Sequence, residues 1–376
     1  MTSANIDKSA SANSRSQLHK GKSQPIGLPS SDRNDHYSLE CDEDCSSFEQ
    51  FHEPNQGDQQ GTSTTAVVNR PFDAADVRDV IRNELDRLHK LHFVAELPEA
   101  KYFAYEYRSQ VVSWFVQVVS TLQLTKETLH CAVSLLDRYI AGTKAFPTPA
   151  VIQLLALGCL SAAAKHEEVV QRSADEWVCL ALSDGHRKLY EDPDLHRMEW
   201  LLLETVEWRI HVPNTFTFLR HYQTVLADRG VIPNDVASAA LFKACSEFLA
   251  EISMLYVELL SFGYSTVAVA CLILAESQWS FAPSGGSLSS AATAITVQSR
   301  QRLLAAEEPA AQSILSELTS FTELDPSYVA PGLGCCLEFM SHLYHFIIFA
   351  NPTDGGLSLL APVLARYPHV VSHLGH

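Results

Sequence analysis

Residues 148–168 read TPAVIQLLALGCLSAAAKHEE, and the fold follows from this stretch. From Ala150 to Ala164 only Gln153, Gly158 and Ser161 interrupt an apolar run. A helix that is apolar on nearly every side has to be enclosed by other elements. The run is too short and too rich in small residues for a membrane span, which takes about 20 apolar residues. Ala156, Gly158, Ala162, Ala163 and Ala164 let neighbouring helices approach closely. Thr148 is placed to cap the first turn, and Pro149 suits the first helical position, where no N–H is needed. The run ends abruptly in Lys165-His166-Glu167-Glu168. A buried hub helix therefore delivers a lysine to a surface, and Lys165 is the first candidate functional residue.

The flanking sequence supplies the enclosure. Asp73–His92 places Val77, Val80, Ile81, Leu85 and Leu88 at helical spacing. Tyr102–Leu122 reads as a second helix. Thr125–Ile140 is a third, capped by Thr125, with Leu129, Val133, Leu136 and Ile140 on one face. Ser173–Leu182 opens on a capping box, Ser173 with Glu176. Asp194–Trp208 closes the set. In the second half, helices are predicted from Asn214 or Thr215 to Leu226, from Pro233-Asn234 to Met254, and over Ser265–Trp279, which is again apolar all round. Further helices are predicted near Val297–Ala306, Ala311–Phe321 and Gly332–Phe349. The pair 131–165 resembles the pair 248–278, a weak internal repeat centred twice on a buried helix.

Four segments result: 1–70, rich in Ser, Asn, Gln, Asp and Glu and expected to be disordered; a first helical domain, 71–212; a second, 213–350, with a low-complexity loop at 281–292; and a tail, 351–376, with too few periodic apolar positions to assign. The predicted class is all-α, two tandem five-helix bundles.

The 376 residues carry a net charge of −17, which argues against non-specific nucleic-acid binding. Nine cysteines are scattered, with Cys131, Cys159, Cys245 and Cys271 inside apolar helical runs. With no secretory signal pattern, this predicts free thiols in a reducing compartment, nucleus and cytoplasm, and no membrane association. There is no phosphate-binding Gly-rich loop, GxSxG elbow or HExxH helix. His89 with His92, and His342 with His345, have spacings open to metal but lack acidic or thiol partners. No catalytic residue, cofactor or metal is predicted.

Residues 101–210 resemble the cyclin box. Five positions that define it occur in order: Arg108 in RSQVVSWFVQVV, Asp137 in LLDRYI, Leu154 and Lys165 in the hub helix, and Glu199 in HRMEWLLLETVEWRI. The resemblance continues as a C-terminal cyclin fold and covers roughly residues 75 to 349. Arg108 and Asp137 fall amid apolar neighbours on different helices, so a fold-holding ion pair is expected. Lys165 also suits a helix C-terminus electrostatically. The resemblance implies more: Lys165 and Glu199 would bond backbone groups of a cyclin-dependent protein kinase. They would hold its movable regulatory helix in the active setting. Glu167 and Glu168 are expected to be solvated.

In many cyclins the segment matching Tyr107–Gln117 forms a hydrophobic docking patch for substrates. Trp114 and Gln153 match it, while Tyr107, Gln110 and Gln117 depart from it, and Trp114 reads equally well as core. In the tail, Leu39-Glu40-Cys41-Asp42-Glu43 looks like the LxCxE retinoblastoma-binding motif of D-type cyclins. Residues at i, i+2 and i+4 of an extended chain face one way. Leu39 and Cys41 would fill apolar pockets, Glu43 would accept backbone N–H bonds, and the acidic flank favours a basic rim. The hub and Glu199 segments look most like plant-type D cyclins. Arg15-Ser16-Gln17-Leu18 is a chance-level match to a degradation motif.

The resemblance implies a non-catalytic regulatory subunit. It would activate a cyclin-dependent serine/threonine kinase in cell-cycle control, at commitment to DNA replication and cell division, and recruit a retinoblastoma-type protein through its tail. The alternatives are a transcription-type or other cyclin with an accidental LxCxE match, a DNA-contacting transcription factor, or a helical enzyme or scaffold.

Overall fold

The enclosed helix is α5, Pro149–Glu167. Every residue from Leu154 to Ala164 is buried in the computed structural model, which describes residues 74–90, 98–143, 146–181, 187–232, 235–280, 309–349 and 355–373. Thr148 occupies the N-cap with extended backbone, but its hydroxyl makes no capping hydrogen bond, contrary to expectation. Pro149, which has no N–H to satisfy, starts the helix.

Four elements enclose α5: α3 (Ser109–Leu122), α4 (Lys126–Gly142), α6 (Ala174–Val178) and α7 (Asp192–Thr205). The expected caps at Thr125 and Ser173 are present, the latter as a full capping box with Glu176. The short helix α2 (Pro98–Phe103) runs through a π turn, Ala104–Arg108, into α3. Gly158 sets the closest approach: a Cβ there would stand 3.0 Å from Met198 Cγ on α7. Glu168 is not solvated as expected. Its carboxylate accepts from the Thr125 amide at 2.7 Å and the Thr128 hydroxyl at 2.6 Å, tying the end of α5 to the start of α4. Partial burial pushes its pKa up, but these hydrogen bonds win and hold it below the usual carboxylate value.

The second bundle repeats the plan around α10 (Tyr264–Ser280), buried from Ser265 to Ala275. It packs against α8 (Thr215–Asp228), α9 (Val236–Ser253), a 3₁₀ turn (Val257–Phe262), α11 (Pro309–Thr322) and, beyond the short α12 (Pro326–Val329), α13 (Leu333–Phe349). Asn214 caps α8 as read, whereas Asp235 caps α9. Helix α1 (Ala74–His89) buries Val77, Ile81 and Leu85 but leaves Val80 exposed. Its Arg78 and Arg82 reach Glu323 just after α11, at 2.6 and 3.0 Å. No β-strand occurs among the described residues. The segments 1–70 and 281–292 and the helix expected near 297–306 lie outside them.

The expected tail is instead helical. Helices α14 (Gly355–Arg366) and α15 (Pro368–His373) pack on α3 and α9. Leu360, Val363, Tyr367 and Val370 are buried. The Ser113 hydroxyl donates to the Leu359 carbonyl at 2.8 Å. Tyr367 donates to Glu251 at 2.7 Å, and Arg366 pairs with that carboxylate at 3.1 Å.

His130 of α4 stacks on Phe216 of α8, centroids 5.1 Å apart. Burial, reinforced by Lys126 and Arg366, lowers its pKa to about 3. Unfolded His130 takes a proton near pH 6.5 while the folded ring stays neutral, so stability falls as pH drops from about 6.5 towards 3. Between pH 7 and 5 this group costs about 2 kcal/mol. Urea denaturation at the two pH values should show His130→Phe losing about that much less stability than wild type; equal losses contradict the neutral buried ring.

The Gly158 contact gives a second test. Gly158→Leu should destabilise by about 1–3 kcal/mol, because Met198 cannot retreat from a close-packed seam. Gly334→Ala, where a Cβ meets nothing within 4 Å, should be neutral or stabilising by up to about 1 kcal/mol. Chemical denaturation of both variants reads the difference.

Candidate functional site

Lys165 sits in the last turn of α5, where the apolar enclosure stops. Its ammonium lies 2.7 Å from both carboxylate oxygens of Glu199 on α7. The pair is asymmetric: the lysine side chain is 46% exposed and the glutamate 9%. Buried Met198, next to Glu199, fixes α7 against Gly158, so the carboxylate is placed by core packing. Two of the lysine's three N–H donors serve the carboxylate, which leaves the third for solvent-side groups. A half-exposed pair of this kind adds little to stability, typically about 0–1 kcal/mol.

The other predicted pair is of a different kind. Arg108 grips Asp137 through two bonds, 2.6 and 2.9 Å, with side chains only 3% and 7% exposed. Its remaining nitrogen donates to the Met254 carbonyl at 2.6 Å, just beyond α9. Burial alone would lower the guanidinium pKa, but the adjoining Asp137 carboxylate outweighs it and raises it. Arg108 thus locks α3 to α4 and both to the second bundle. Leu154 is buried within α5 as a packing residue.

Arg138, adjacent to Asp137, was not singled out by sequence. It is buried and donates to the carbonyls of Arg209 and Ile210, the latter at 2.9 Å. Arg87 donates to the next carbonyl, His211, at 2.7 Å. Two arginines therefore hold three successive carbonyls of the connector between the bundles.

Just before that connector, Glu207 and Trp208 both adopt left-handed backbone, φ 56° and 59°. Such a pair in non-glycine residues is strained. It ends α7 and leaves Trp208 55% exposed, edge-on to Trp200, which is 58% exposed, at 5.2 Å. Leu201, the residue after Trp200 on α7, is also exposed. Exposed clustered aromatics are the residue types enriched at protein interfaces. No local sequence pattern announces them: a helix normally ends in left-handed geometry with glycine or asparagine.

The docking candidates are split. Trp114 on α3 is half-buried against the core, 6.1 Å from Phe115. Gln153 on α5 is exposed, as are Gln110 and Gln117, while Tyr107 is half-buried. Helix α14 lies along this same α3. Leu39, Cys41 and Glu43 lie outside the described residues, as do Arg15 and Leu18. His89 bonds the Leu85 carbonyl at 2.8 Å and stacks on Tyr328 at 4.2 Å, while His92 lies outside the described residues. Cys131, Cys159, Cys245 and Cys271 are buried free thiols as expected. Burial raises the pKa of Cys131 to about 12 and of Cys245 to about 11, which keeps both in the unreactive thiol form.

Residues 75–211 match the family model of the cyclin N-terminal domain. The chain is 31% identical over 171 residues to G2/mitotic-specific cyclin-2 of Antirrhinum majus, covering 45% of this chain and 35% of that one. It is 29% identical over 169 residues to Cyclin-A1-2 of Arabidopsis thaliana, covering 45% and 36%, and 33% identical over 115 residues to Cyclin-B1-4 of that plant, covering 31% and 28%. The chain thus spans about a third of the length of these relatives. Among solved structures it is similar to a viral cyclin from herpesvirus saimiri (TM-score 0.45, 12% identity, 72% of this chain and 99% of that one). It is also similar to a chain of the CAK complex of Chaetomium thermophilum bound to ATP-gamma-S (TM-score 0.39, 13% identity, 78% and 84%). Residues 75–211 are thus similar to the cyclin N-terminal domain.

Proposed function

We propose, with that domain as premise, that the chain is a non-catalytic regulatory subunit that binds and activates a cyclin-dependent serine/threonine kinase. The observation that carries this reading is the Lys165–Glu199 pair. It joins a rigid, core-positioned carboxylate to a half-exposed ammonium on the rim of the cyclin domain. Such a pair can exchange its mutual bonds for bonds to a partner's backbone at little cost in fold stability. Trp200 and Leu201, which follow Glu199 on α7, and Trp208, which packs edge-on to Trp200, are exposed and can supply apolar contact area. Bound there, the kinase's regulatory helix would be held where its own lysine–glutamate pair forms. The expected site of action is the nucleus and cytoplasm, in control of the cell cycle.

The finer reading is a D-type cyclin that recruits a retinoblastoma-type protein through Leu39, Cys41 and Glu43. It rests on the sequence pattern of the acidic N-terminal segment. A second reading, a mitotic-type cyclin in which the LxCxE match is accidental, is favoured by the A-, B- and G2/mitotic-type relatives.

Lys165→Glu should abolish co-purification of the kinase while leaving helix content and melting temperature near wild type. Unchanged kinase activation by this variant overturns the assignment. Cys41→Gly with Glu43→Ala should weaken retinoblastoma pull-down several-fold without touching kinase binding. Equal capture by both forms would favour the mitotic-type reading.

A further inference from the structure

Directly after Lys165, the end of α5 presents His166 and Glu167. Across from them the connector presents His211. One ligand atom from each of the three lies within 4.8 Å of the others. The His166 Nε2 to Glu167 Oε1 distance is 3.8 Å, and the two imidazole centroids are 5.8 Å apart. The two histidines line an open recess of about 460 Å³ together with Trp208 and Pro213. We propose that His166, Glu167 and His211 form a binding site for a first-row divalent metal ion, with zinc the best match and an exchangeable fourth position facing solvent.

Donor chemistry supports the choice. Two imidazoles and one carboxylate are the set that zinc accepts while keeping one open position. Hard cations such as magnesium and calcium want an all-oxygen shell instead. Tetrahedral zinc needs donors about 3.3 Å apart, given bonds of about 2.0–2.2 Å. From 4.8 Å that closure takes only side-chain rotation of surface residues.

The backbone that carries the donors is fixed. α5 is enclosed by its bundle, and Arg87 and Arg138 hold the carbonyls of residues 209–211 that position His211. The C-terminal end of α5 contributes partial negative charge towards a cation.

Cations also face the recess, and they oppose the metal. Arg87 is compensated by Glu84 at 3.0 Å and Arg209 by Glu207 at 2.8 Å. Lys90 is the other cation that lines it. Its position turns the proposal into one with opposite signs for two ligands: Lys90→Glu should tighten a metal and weaken an anion.

Zinc titration of the purified full chain by calorimetry tests this independently of any kinase. Cobalt absorption reports the geometry. Wild type should bind one zinc at this site with the visible spectrum of tetrahedral cobalt. His211→Ala and His166→Ala should each weaken binding at least about ten-fold, and Lys90→Glu should strengthen it. All three positions are exposed, so circular dichroism should be unchanged in each variant. No zinc binding by wild type, or equal binding by wild type and both alanine variants, overturns the site. So does binding of inorganic phosphate that Lys90→Glu abolishes while zinc has no effect.

Discussion

A helix without a solvent face constrains everything around it. α5 cannot carry a charge along its length, because any buried charge would need a partner in the core. Polar function is displaced to its C-terminal end, where the enclosing helices stop. The constraint also fixes the partner. Gly158 lets α7 approach until a Cβ at 158 would sit 3.0 Å from Met198 Cγ and 3.8 Å from the Glu199 amide. Lys165 lies seven residues beyond Gly158, two turns on and on the same face. A single missing side chain at 158 thus fixes the approach of the backbone that carries Glu199. A long flexible ammonium covers the remaining distance.

The two ion pairs of the first bundle differ in burial rather than in length. Arg108 and Asp137 are enclosed, bidentate and further satisfied by the Met254 carbonyl. Removing one partner would leave a buried charge stranded, at a cost of about 3–5 kcal/mol. That pair is committed to joining the bundles. Lys165 and Glu199 share equally short bonds but not equal burial. Solvent already screens the lysine, so its bonds can be exchanged for others cheaply. Distance alone would rank the pairs together; exposure separates them.

Much of this was legible in the sequence. The apolar runs at 150–164 and 266–275 are so continuous that burial is their one stable outcome, and both became hubs. The pairing of Arg108 with Asp137 followed from charges set among apolar helical neighbours, whereas the joint role of Lys165 and Glu199 came from the family resemblance. What was missed has physical causes. The last helices carry buried Leu360, Val363, Tyr367 and Val370 at helical spacing. That period is short and is interrupted by Pro362 inside the run and Pro368 after it, residues that disfavour a helix interior, so the segment offered too few periodic positions to assign. Glu168 looked solvated because its partners, Thr125 and Thr128, lie about forty residues upstream. The left-handed turn at Glu207 and Trp208 lacks the glycine that would signal it.

The connector between the bundles concentrates the surface chemistry for a related reason. Helices packed on several sides spend most of their side chains on the core; α7 and α5 contribute Trp200 and His166 to this surface, and the chain after α7 adds Trp208 and His211. A free loop would present them loosely and lose binding energy to ordering. Here Arg138 and Arg87 take up three consecutive carbonyls, and the amide of Trp208 returns to Leu203 at 2.8 Å. The backbone from 208 to 211 is therefore anchored by hydrogen bonds while Trp208, Arg209 and His211 stay exposed. Rigid backbone with solvent-facing side chains is what a recognition surface requires. Here it adjoins the one end of α5 that can bear charge.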